Sequence, residues 1–230
     1  GQPVRGRQTL FRIASVSKPI VYTAAMQLVE EGSLSLHADI NHYLKSFKIP
    51  KPFGKPITLA HLMTHTPGFE DTYFRKWSQK MKRLPTLREY LAQNRPACVR
   101  PPGETFGYSN YGASLAGYLI ERVTGTSYET YLEKNIFNPL GMENTTARQP
   151  LPKRFKRHMA VSYRNGRPIG FELILDSPAG AISSTAEDMA KFMIAHLGWA
   201  PRRGQPILSE ESLNAMHERQ FTHHKMLDGH

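Results

Sequence analysis

The stretch from about Ser15 to Glu31 constrains the fold more than any other. Val21, Ala24, Ala25, Leu28 and Val29 recur at the i, i+3, i+4, i+7, i+8 spacing of one buried stripe, which predicts a helix. Gly32 follows as a C-terminal stop. Pro19 limits where the helix can begin, because a proline deep inside would remove a backbone donor and clash with the preceding turn. The start is therefore expected near Ser15. With 230 residues the chain is long enough to bury a core around this helix without staples.

Further helices are expected over Ile57 to Thr64, with Thr58 as a cap, over Thr86 to Gln93, over Tyr111 to Val123 with Gly125 as its stop, and over Tyr128 to Ile136. Thr185 to His196 reads as an amphipathic helix with Thr185 at its N-cap and Asp188 three residues on, a relative of the capping box. Leu34 to Pro56 reads as a loop, Arg100-Pro101-Pro102-Gly103-Glu104 as a tight turn, and Phe171 to Leu175 as a strand. Helices dominate the middle of the chain, and neither a repeat nor a linker divides it.

Cys98 is the single cysteine, so no intramolecular disulfide can form, and it reads as a small buried or half-buried side chain. The longest apolar runs are a few residues, far short of the roughly 20 that cross a bilayer, and Gly1 to Arg12 holds no apolar stretch of the kind a secretory signal needs. The compartment is unreadable. Lys plus Arg total 30 against 19 Asp plus Glu, giving a formal net charge of +11. Arg75 to Arg100 carries eight basic residues against Glu89 alone, and Arg148 to Arg167 carries seven with no acid. Such clusters attract phosphates or anionic lipid heads. No helix-turn-helix, zinc-finger or aromatic RNA-binding pattern accompanies them, so no nucleic-acid partner is expected.

Ser15-Val16-Ser17-Lys18 places a hydroxyl and an amine on one face of a first helical turn. A serine hydroxyl is a weak nucleophile until a base takes its proton, and a buried lysine can be that base. Tyr108-Ser109-Asn110 follows a rigid Pro-Pro-Gly-Glu turn and precedes a helix. Its tyrosine can bond the serine and relay a proton, while Asn110 can orient Lys18 or hold a substrate carbonyl. Tyr163-Arg164-Asn165 repeats the Tyr-x-Asn spacing in a basic turn without that frame, and Tyr108 is preferred. His61 and His65 stand at i, i+4 as in zinc peptidases but lack the adjacent Glu, so packing and loop roles are expected. His223-His224 has no surrounding ligand cluster. Gly107-Tyr108-Ser109-Asn110-Tyr111 lacks the last glycine of an α/β-hydrolase elbow.

Taken in order, Phe11 to Pro19, Leu62 to Gly68, Pro102-Gly103-Glu104 with Tyr108 to Tyr111, Asn138 to Met142, Pro178-Ala179-Gly180 and Ser183 to Met189 make the chain resemble the serine β-lactamase and penicillin-binding-protein superfamily. The likeness is to its class C β-lactamase-related branch, which includes D-alanyl-D-alanine peptidases and esterases. It implies an α/β (α+β) fold, with a helical subdomain and an antiparallel sheet flanked by helices. One domain over 1–230 is expected, with a helical subdomain at roughly 38–170 inserted between α/β parts 1–37 and 171–230. By resemblance Ser15 is the acylated nucleophile, Lys18 its activator, Tyr108 the acid/base group and Asn110 a substrate-side or lysine-orienting amide. The Ser15 backbone amide would supply half of an oxyanion hole. No metal or other cofactor is implied, the substrate is a small molecule or peptide, and the family suggests a periplasmic or secreted bacterial setting.

The family's third motif, Lys-Thr-Gly or His-x-Gly on a late sheet strand, has no convincing counterpart, and Asp228-Gly229-His230 lacks its context. The family's opening strands do not precede Gly1. The chain is therefore expected to be the middle of a longer protein. That expectation leaves a second reading open, a catalytically incomplete protein that binds an acidic polymer or membrane surface through its basic face.

Overall fold

Residues 3–71, 77–78, 84–199 and 206–222 are described by the computed structural model. Helix α1 spans Ser17–Glu30. Pro19 is its third residue, a first-turn position where the missing N–H costs nothing. The helix begins two residues past Ser15. Ala14–Val16 instead forms a 3₁₀ turn ahead of it. Nearly every side of α1 is buried, not one stripe alone: Ile20, Val21, Ala24 and Ala25 are fully covered.

The remaining helices are α2 Leu59–Met63, α3 Leu87–Gln93, α4 Asn110–Thr124, α5 Tyr128–Leu132, α6 Lys153–Lys156, α7 Ala186–His196 and α8 Glu210–His217. Thr58 and Thr185 cap helices as expected, and Thr86, expected as the first residue of its helix, proves to be a cap as well. Thr58 and Thr86 close capping boxes on α2 and α3, and Thr185 accepts from the Asp188 amide on α7. The Asp188 carboxylate does not reciprocate. It turns to the Asn144 amide at 2.7 Å and the Thr145 hydroxyl at 2.9 Å, so the expected box on α7 is half made. Gly125 ends α4 at a φ of 71°. The helix expected over Tyr128 to Ile136 starts as α5 and widens into a π-helical turn over Glu133–Phe137. Neither α6 nor α8 was among the expected helices.

Strands are short. β1 Phe11–Arg12 pairs antiparallel with β6 Ser183–Ser184, and bridges from Leu10 to Met159 and from Thr146 to Ser183 extend this pair on both edges. β2 Trp77–Ser78 pairs with β5 Leu173–Ile174. The strand expected over Phe171 to Leu175 is confined to β5, and ahead of it the Phe171 ring lies against the Arg12 guanidinium, 4.2 Å from centroid to Cζ. β3 Ser162–Arg164 and β4 Arg167–Ile169 form a hairpin turned by Asn165-Gly166, both at positive φ. The main core gathers α1, α4 and α5 around Ile20, Leu115, Leu119, Tyr128 and Leu132. Gly117 of α4 permits its closest approach: a Cβ there would stand 2.5 Å from Pro178 Cγ, in the 3₁₀ turn Ser177–Ala179. No helix of the described residues is long and apolar enough to cross a membrane.

Candidate active site

Ser15 sits in the middle of the 3₁₀ turn between β1 and α1, exposed to solvent. The turn is clamped from one side by the segment leading into β6. The Ile13 amide donates to Ile182 O at 3.0 Å, and the Ile182 amide donates to Ser17 Oγ at 3.2 Å. Left-handed backbone at Ala14 costs a non-glycine residue roughly 1–2 kcal/mol, and these bonds hold it there.

Lys18, on the first turn of α1, is 3% exposed. Its Nζ contacts four oxygens: Ser15 Oγ at 3.0 Å, Tyr108 OH at 2.5 Å, Asn110 Oδ1 at 2.9 Å and Ala179 O at 2.9 Å. An ammonium has three hydrogens and a neutral amine has two. Asn110 Oδ1 and Ala179 O only accept, so they take two N–H groups. The remaining position faces the Ser15 and Tyr108 hydroxyls, and in the neutral amine that position is a lone pair. Among the described residues no carboxylate pairs with Lys18. Tyr108 OH donates to Ser15 Oγ at 2.6 Å, which closes a triangle of serine, lysine and tyrosine.

The two motifs meet because α4 packs along α1 and starts at Asn110. Ser109 caps α4, accepting from the Gly112 amide at 3.0 Å, and this turns Tyr108 outward toward Ser15. The approach to Tyr108 is laced to the segment after α2. Gly103 N donates to Thr66 O, Gly107 N to His65 O, and the Val99 amide to Gly68 O. Gly68 is required here, since a Cβ would stand 2.0 Å from Arg100 O.

All four residues singled out in the sequence are thus brought together, with Ser15, Tyr108 and Asn110 each touching Lys18 Nζ. Tyr163 and Asn165 are not among them and occupy the β3–β4 hairpin, with Tyr163 65% exposed. His61 Nδ1 accepts the Thr58 amide in the α2 capping box, and no group of three or more His, Cys, Asp or Glu among the described residues could hold a metal. Cys98 is half-buried, and burial pushes its thiol up. His223-His224, Asp228 to His230 and much of the first basic cluster (Arg75, Lys76, Lys80, Lys82, Arg83) lie outside the described residues. The second basic cluster, distant from Ser15 in sequence, runs beside the strand that leads to it: Leu10 N donates to His158 O, and Ala160 N to Leu10 O. Two participants lie in the family-like segments Pro178-Ala179-Gly180 and Leu62 to Gly68 but were given no part in the chemistry there. One is the Ala179 carbonyl, a backbone atom. The other is His65, whose ring lies 4.6 Å from the Tyr108 ring.

A serine set between a strand and a buried helix, with lysine and tyrosine on its hydroxyl, on an α/β frame, is the arrangement of the β-lactamase and penicillin-binding-protein fold. The chain belongs to the Beta-lactamase family, which it matches over residues 1–228. It is 33% identical to "Esterase EstB" of Burkholderia gladioli over 73% of its own length and 45% of that protein. It is 27% identical to "Beta-lactamase" of Yersinia enterocolitica over 86% of its length and 48% of that protein. Among solved structures it is similar to the octameric penicillin-binding protein homologue from Pyrococcus abyssi, with a TM-score of 0.74 and 29% identity, covering 90% of this chain and 48% of that one. The chain spans about half the length of the curated relatives it matches.

Proposed function

We propose that the protein is a serine hydrolase that works through an acyl-enzyme on an ester, amide or β-lactam carbonyl. Ser15 Oγ attacks the carbonyl carbon. Its proton passes to the lone pair of Lys18 Nζ, either directly or through Tyr108 OH, and the tetrahedral intermediate forms with negative charge on the former carbonyl oxygen. The Ser15 backbone amide supplies one donor to that oxygen. As the bond to the leaving group breaks, the proton goes to the departing oxygen or nitrogen, with Tyr108 OH as the final donor. Water then attacks the acyl-Ser15 ester and gives up its proton to the same pair, which passes it to Ser15 Oγ as the Oγ–acyl bond breaks and the acid product departs. No step draws on a metal.

The observation that carries this reading is the triangle of Ser15, Lys18 and Tyr108 at 2.5–3.0 Å, with two carbonyl oxygens occupying the other Lys18 hydrogens. The printed names of its relatives, a β-lactamase and an esterase, support the same chemistry and leave the substrate to be chosen among esters, β-lactams and peptides. Incubation of the full-length protein with a fluorophosphonate and with a penicillin tests it. Covalent labelling that is lost in Ser15→Ala is expected, and labelling that survives that substitution overturns the assignment.

A further inference from the structure

We propose that His65 is a positioning residue for Tyr108, acting as a neutral imidazole whose Nδ1 fixes the backbone on which the tyrosine stands; this rests on the acyl-enzyme reading above. A single histidine in an apolar segment is ordinarily a satisfied core side chain, and four observations here go beyond that. The Ser109 amide donates to His65 Nδ1 at 3.2 Å, so the peptide immediately after Tyr108 is tied to the ring. The Gly107 amide donates to His65 O at 2.8 Å, so the residue before Tyr108 is tied to the backbone of the same histidine. The imidazole plane lies against the Tyr108 ring at 4.6 Å and 33°. His65 itself holds a φ of 56°, a conformation that costs a residue with a Cβ and that aims both groups at one dipeptide.

Tyr108 is therefore gripped before, behind and across its ring by one residue, while its hydroxyl reaches Ser15 Oγ at 2.6 Å and Lys18 Nζ at 2.5 Å. Proton transfer depends on such distances, and a misplacement of about 1 Å costs on the order of 10²-fold in rate. An acceptor role for Nδ1 places the ring proton on Nε2 and excludes the imidazolium, which has two donors and no acceptor. The surroundings agree. Phe106 and Tyr22 meet the ring edge-on, and burial drives the His65 pKa down to about 4.

The test separates the acceptor from the ring. His65→Asn keeps an acceptor oxygen near the Nδ1 position and tolerates positive φ. His65→Phe keeps a ring against Tyr108 and removes the acceptor. In the full-length protein, with thermal melting as the check on folding, the Phe variant is expected to lose about 10- to 100-fold in the acylation rate constant with KM for a small ester little changed. The Asn variant is expected to acylate at least tenfold faster than the Phe variant. Equal rates for the two variants overturn the proposal, as does a Phe variant at the wild-type rate. Nitrogen NMR on the wild-type protein decides the matter independently of whether a variant folds: a protonated Nε2 and bare Nδ1 at pH 7 are expected, and a protonated Nδ1 overturns the proposal. Loss of Ser15 labelling in the wild type would instead remove the acyl-enzyme reading, and the His65 proposal with it.

Discussion

Asn110 Oδ1 accepts from Lys18 Nζ at 2.9 Å across the junction of α1 and α4. The amide holds the amine without supplying a charge that would keep it protonated. Asn110→Asp adds that charge at almost the same atomic position, and an anion within about 4–6 Å favours the ammonium. The midpoint of the rise in acylation rate with pH is expected to move up by about 1–3 units. A stopped-flow pH profile of labelling checks this, with Asn110→Ala, which adds no charge, expected to leave the midpoint nearer its wild-type place.

The approach of α4 to the 3₁₀ turn Ser177–Ala179 sets the position of another Lys18 partner, the Ala179 carbonyl. Gly117→Ala drives a methyl to 2.5 Å from Pro178 Cγ, backed by the neighbouring helix. Overpacking of this kind costs about 1–3 kcal/mol. Thermal unfolding is expected to show that loss, and the acylation rate is expected to fall with it because the Ala179 carbonyl is displaced from the lysine.

Ser17 Oγ, fully buried, accepts the Ile182 amide at 3.2 Å. Ser17→Ala leaves that buried N–H without its side-chain partner, at a cost of about 1–3 kcal/mol. Denaturant titration is expected to show a lower midpoint at an unchanged slope. The serine in this position of the Ser-x-x-Lys motif is thus a clamp on the turn and not a second nucleophile.

On the far side of α1, Thr23 Oγ1 donates to Pro19 O at 2.8 Å and so accepts from His196 Nε2 at 2.8 Å, leaving His196 Nδ1 to accept from His217 Nε2 at 3.1 Å. Burial and the neighbouring His217 bring the His196 pKa down to about 4. The unfolded chain protonates His196 near pH 6.5. The unfolded state therefore binds more protons between these values, and stability is full above about 6.5 and is lost as pH falls toward 4. Glu121, raised to about 7 by burial, acts in the opposite sense, losing its contribution as pH rises. The comparison of wild type with His196→Asn isolates the histidine. After a discount for the water that reaches this partly exposed ring, the difference in pH dependence is expected to be about 1 kcal/mol, or roughly 2–4 °C in melting temperature.

Much of this was legible in the sequence, for local reasons. Thr58, Thr86 and Thr185 cap helices because a threonine oxygen satisfies an amide within its own turn, and Gly125 stops α4 through its own φ. Ser15, Lys18, Tyr108 and Asn110 could be singled out because the chemistry proposed for them resides in their side chains, and the structure brings them together. The 3₁₀ turn Ala14–Val16, which puts the start of α1 at Ser17, is not readable locally, because the bonds on either side of it, Ile13 N to Ile182 O and Ile182 N to Ser17 Oγ, come from far along the chain. His65 read as packing because its link to Tyr108 exists only after the turn at Gly103 folds back on Thr66. Helix α8 had Ser209 as a cap and two acids in its first turn as its signal, but too few apolar residues to raise a periodic stripe.

The most direct test of the account is acid-quench mass spectrometry of the full-length protein turning over an activated ester. The account predicts one acyl mass on the peptide containing Ser15, absent in Ser15→Ala and formed far more slowly in Lys18→Ala. An acyl group carried on any other residue would contradict it.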